Sequence, residues 1–67
     1  MTHEQFRSAL ARLGLSQARA AQLVGADERT GRRWALGERS VPQSVAVLLQ
    51  LLLAGKITIA DIEASSD

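Results

Sequence analysis

Four glycines divide this chain into segments too short to be stable helices alone. Gly14, Gly25, Gly37 and Gly55 each follow a segment with helical apolar spacing, and the longest segment lies between Pro42 and Gly55. Isolated helices shorter than about 12–15 residues are marginal in water, so these persist only by packing apolar faces together. Phe6, Leu10 and Leu13 recur at i, i+4 and i+7, with Ala9 on the same side. Thr2 is their N-cap, with Gln5 placed for a capping box and Met1 and Phe6 for a hydrophobic staple. Gly14 then takes the C′ position, where a residue without Cβ turns left-handed freely. Ser16 opens a second helix with Ala20, Leu23 and Val24 on its apolar side, closed by Gly25. Asp27 caps a third, spanning Glu28 to Leu36. Pro42 fits the first position of a fourth, with Ser40 or Val41 as flanking cap, and that helix runs to Ala54. Thr58 and Asp61 frame a short last helix with Ile57 and Ile62 as its staple, and Ser65, Ser66 and Asp67 read as a frayed tail.

Composition supports an all-α architecture. The 67 residues fit one domain. Phe6 and Trp34 are the only aromatics, and β-branched residues are few, so the core is aliphatic. With no cysteine and a single histidine, the chain offers neither a disulfide nor a zinc set. Hydrophobic residues make up 46% and charged ones 22%, which argues against disorder. No basic, apolar leader opens the chain, and no apolar run approaches the roughly 20 residues of a membrane span. The expectation is a cytoplasmic, soluble, compact five-helix domain over residues 1–67.

Two short helices joined by a glycine-containing turn form a helix-turn-helix unit, here residues 16–36, followed by helix four and a C-terminal segment over 42–64. Its demands are met locally. Ala20 and Ala21 supply small residues where the helices touch, Gly25 supplies the turn, and Trp34 supplies a large inner residue on the second helix. Trp34 therefore reads as a core residue rather than a platform for stacked bases.

Residues 15–42, LSQARAAQLVGADERTGRRWALGERSVP, resemble the lambda-repressor-like (Cro and repressor type) helix-turn-helix family. Leu15, Ser16, Gln17, Ala21, Gly25, Thr30, Trp34, Gly37 and Pro42 agree with its pattern in order and spacing. The resemblance implies a five-helix DNA-binding domain. Two positions depart from the pattern. Gly31 stands where the family usually has valine or isoleucine, and Ala35 where it often has glutamate. A helical glycine costs about 1 kcal/mol against alanine. Gly31→Ala is accordingly expected to be neutral or stabilising, unless the helices pack closer than usual.

The candidate base-reading residues are Arg29, Arg32 and Arg33, at i, i+3 and i+4 on one helix face, with Glu28 beside them. Arginine pairs bidentately with guanine O6 and N7, and a carboxylate accepts from cytosine N4. On an arbitrary helix the same residues would be a solvated face, with Glu28 pairing to Arg32. Gln17, Arg19, Thr30, Arg39, Ser40, Gln43 and Ser44 are candidates for phosphate, the last ones aided by the N–H groups opening helix four. Arg7 and Arg12 read as solvated. No residue set has the makings of a catalytic site, and no metal or cofactor is called for.

Helix four is apolar beyond one stripe. Val47, Leu51, Ile57, Ile59 and Ile62 are candidates for a homodimer interface, combined with partial fold-back of the last segment. A two-fold dimer would set two third helices about 34–36 Å apart on an inverted-repeat operator. The function expected is sequence-specific duplex binding by a transcriptional repressor or autorepressor that occludes its promoter. Two rivals remain: an antitoxin whose C-terminal helices bind a toxin protein, and an interaction module that has lost DNA binding. The net charge of +1 conceals an asymmetry. Residues 1–55 carry seven arginines against Glu4, Asp27, Glu28 and Glu38, a balance of +3. Residues 56–67 carry Lys56 against Asp61, Glu63 and Asp67, a balance of −2.

Overall fold

The computed structural model describes residues 1–65. Five helices follow in order, α1 His3–Leu13, α2 Gln17–Leu23, α3 Glu28–Leu36, α4 Gln43–Leu53 and α5 Ile59–Ser65, with no strand among the described residues. Ser65 closes α5, while Ser66 and Asp67 lie outside the described residues.

Local chemistry accounts for the helix ends. Gln5 N–H donates to the Thr2 hydroxyl at 3.1 Å and Thr2 N–H to the Gln5 side-chain oxygen at 2.8 Å, completing the capping box. Ser16 accepts from Arg19 N–H at 3.0 Å, and Thr58 and Asp61 form a second reciprocal box. Gly14, Gly25, Gly37 and Gly55 all have φ between 70° and 78°. Each closes its helix with the same two bonds. At α2, Ala26 N–H donates to the Ala21 carbonyl at 2.8 Å and Gly25 N–H to the Gln22 carbonyl at 3.1 Å. That pairing satisfies carbonyls left open at the helix end. Pro42 departs from expectation by one residue. It is the N-cap of α4 rather than its first residue, with φ −58° and ψ 147°. The ring restricts φ alone, and the extended ψ lets the Pro42 carbonyl accept from Ala46 N–H at 3.0 Å.

The core joins Phe6 and Leu10 of α1, Ala20 of α2, Trp34 and Ala35 of α3, and Val45, Leu49 and Leu52 of α4. Phe6 and Trp34 meet edge-to-face, with centroids 5.9 Å apart and planes at 79°. Ile57, Ile59 and Ile62 are half-buried against this cluster, so the last segment folds back on its own chain. Among the described residues no polar or charged side chain is buried.

Helices α2 and α3 touch through backbone. A Cβ on Gly31 would lie 2.8 Å from the Gln17 carbonyl oxygen and 3.0 Å from the Ala21 Cβ. This reverses the expectation that alanine would be tolerated there: the empty inner position is where the two helices approach. Alanine would gain about 1 kcal/mol of helix propensity but would force apart a contact that has backbone on one side. Overpacking of that kind costs about 1–3 kcal/mol. Gly31→Ala is therefore expected to destabilise the fold and to lower the melting temperature by about 4–8 °C per kcal/mol. Thermal unfolding followed by circular dichroism measures this, and an unchanged or raised midpoint would show that α2 yields.

Candidate nucleic-acid interface

Helix α3 has two chemically distinct sides. Gly31, Trp34 and Ala35 are buried. Arg29, Arg32, Arg33 and Leu36 are exposed. Their positions recur at i, i+3, i+4 and i+7, so they form one outward stripe. The ion pairs among the described residues are His3–Glu4 at 3.9 Å and Arg19–Glu63. Glu28 lines a groove with Arg29 and Arg32 but does not pair with Arg32, and none of the three guanidiniums has a carboxylate of the described residues within 4.0 Å. This is an array of planar, permanently charged donors on a short rigid element, suited to paired acceptors on a polyanion.

Asp27 fixes where this stripe begins. Its carboxylate accepts from Thr30 N–H at 2.7 Å. The bond from the Thr30 side chain, then that from its backbone, and then the charges of Arg29 and Arg33 hold the Asp27 carboxyl below the usual carboxylate range. Thr30 is half-buried and serves this cap, which turns it away from the exposed stripe. Gln17 is half-buried at the start of α2 and lines one groove with Arg7, Ser16 and Glu28, so the structure brings Gln17 and Glu28 together. Arg39 and Ser40 line a separate cleft with Thr2, His3 and Gly37. The imidazole of His3 covers Gly37, lying 2.8 Å from where a Cβ would stand. Gln43 and Ser44 open α4, whose N-terminus has no side-chain cap, and Ser44 borders a groove with Val24 and Leu48. The structure thus separates the phosphate candidates into several patches.

Two arginines have fixed partners that spacing did not reveal. Arg19, a phosphate candidate, is paired by Glu63 of α5. Its guanidinium reaches across to the acidic last segment. Arg7, expected to be solvated, donates to the carbonyl of Ala35 in the last turn of α3. Leu36 went unmarked as a surface residue because it ends the helix. Its place seven residues after Arg29 was the available signal. Of the dimer candidates, Val47 and Leu51 are exposed, whereas Ile57, Ile59 and Ile62 are partly used within the chain.

A lowered Asp27 pKa makes the α3 cap acid-sensitive. The group binds protons more weakly folded than unfolded, so its contribution is full above the unfolded value and fades as pH falls through the lowered one. Asp27→Asn keeps an acceptor at the cap but cannot titrate. Urea midpoints measured from about pH 6 to about pH 2 should therefore fall less steeply for the variant than for the parent chain. Parallel curves would remove Asp27 from the acid response. Comparison of the chain with protein-family models, with curated proteins and with solved structures returns no match.

Proposed function

We propose that this chain is a lambda-repressor-like helix-turn-helix domain that binds duplex DNA in a sequence-specific manner and represses transcription by occupying a promoter. The observation that carries the reading is the set of three exposed arginines on the outward face of α3, none of them in an ion pair among the described residues. In this reading α3 enters the major groove, where Arg29, Arg32 and Arg33 reach guanine edges or phosphates and Glu28 accepts from cytosine. Gln17, Arg39, Ser40 and Gln43 hold the sugar–phosphate backbone and set the register. Arg19 is a further phosphate candidate, reached by exchange of its exposed pair with Glu63. Val47 and Leu51 serve a homodimer that matches an inverted repeat.

Selection of bound sequences from random duplex DNA tests the reading directly and returns the half-site with its spacing. On the selected duplex each arginine-to-alanine change at 29, 32 or 33 that removes a bidentate base pair is expected to weaken binding about 5- to 150-fold, with thermal unfolding unchanged. An Arg29/Arg32/Arg33 triple-alanine variant that keeps full affinity would overturn direct readout. Sedimentation at micromolar concentration reads the dimer. The parent chain is expected to associate and Val47→Glu with Leu51→Glu to dissociate, whereas a parent that stays monomeric in solution and on DNA removes the dimer.

A further inference from the structure

We infer that Leu36 is a specificity-determining residue that packs on the C5 methyl of a thymine, an inference that rests on the reading of α3 as a major-groove helix. Leu36 is 56% exposed, more than Val47 at 41% or Leu51 at 36%, the other exposed large apolar residues. Those two lie on α4, whereas Leu36 stands alone on α3, within the stripe formed by Arg29, Arg32 and Arg33. Its neighbours decide what can cover it. A second copy docking through this face would bring two sets of three guanidiniums together, with Glu28 as the acidic residue lining their groove on each copy. An apolar protein surface would strip water from the same three charges without replacing it. The occupant must be an anion that offers an apolar spot between acceptors. The major groove of duplex DNA is such a surface, because thymine presents a methyl group beside the guanine acceptors and the phosphates.

Replacing a thymine by deoxyuridine removes that methyl and nothing else. The test uses the full chain, the duplex selected above, and a set of duplexes carrying one deoxyuridine at a time. The parent chain is expected to lose affinity about fourfold at one thymine in each half-site, the worth of about one buried methyl-sized group. Leu36→Ala is expected to bind the thymine duplex more weakly by a similar factor and to be indifferent to deoxyuridine at that position only. Because Leu36 is exposed and outside the core, its variant should unfold at the parent temperature. If thymine and deoxyuridine duplexes bind alike to the parent, or if Leu36→Ala keeps the parent's preference for thymine, Leu36 does not read the methyl although DNA binding stands. If the parent selects no duplex sequence at all, the DNA-binding reading falls and this inference falls with it.

Discussion

The approach of α2 to α3 at Gly31 is the contact on which the rest of the structure depends. Side chains normally hold two helices about 8–10 Å apart. Here a single Cβ would already collide with the Gln17 carbonyl and press on Ala21. Backbone contact of this kind has little freedom to slide, because no rotamer can adjust to a shift. It also explains the composition of α2. A helix of seven residues with Ala20 and Ala21 buried carries little apolar area, and close approach is the way such a helix can hold its partner. The intrinsic helix cost of Gly31 is met by the ends of α3, where Asp27 caps one terminus and the turn at Gly37 closes the other.

Charge is distributed to suit this packing. With no ionised side chain buried among the described residues, no pair there has to offset a full desolvation cost. The Arg19–Glu63 pair is exposed, and such pairs contribute about 0–1 kcal/mol. The docking of α5 therefore depends on Ile57, Ile59 and Ile62 against the core more than on its ion pair. The effect of Glu63 is instead to neutralise a cation on α2. Among the described residues, α3 then carries three of the cationic side chains that have no carboxylate within 4.0 Å, the others being Arg7 and Arg12 of α1, Arg39 and Lys56.

How much of this was legible in the sequence follows the range of the chemistry. Helix ends were legible because caps act within four residues: Thr2 with Gln5, Asp27 with Thr30, and the terminal glycines with the carbonyls just before them. The five-helix all-α architecture followed from them. Pro42 was misplaced by one position because N-cap and first-turn prolines share φ and differ only in ψ, which sequence does not encode. Gly31 was misread because helix propensity scores a glycine by what it costs locally, whereas its value lies in a distance to another helix. The contacts of Arg7 and Arg19 were not legible for a related reason. Their partners, Ala35 and Glu63, lie 28 and 44 residues away, and a long side chain chooses among neighbours that only the fold assembles. The exposed arginine stripe was visible from spacing, while its freedom from Glu28 was not.

The orientation of α3 is fixed from two sides by three different contacts. Gly31 meets the backbone of α2, Trp34 meets Phe6 of α1 edge-on, and the Ala35 carbonyl accepts from Arg7 of α1. Contacts at three points that are not in line leave a rigid element no easy rotation. The outward stripe, Arg29, Arg32, Arg33 and Leu36, inherits that rigidity although none of its own side chains belongs to the core. A site carried on a locked helix loses little conformational freedom when it engages a ligand, which favours affinity without added charge. The same arrangement means that the buried and exposed sides of α3 cannot vary independently. Any change that tilts the helix at Gly31 moves every group on the opposite face, so packing and recognition in this chain are two consequences of one contact.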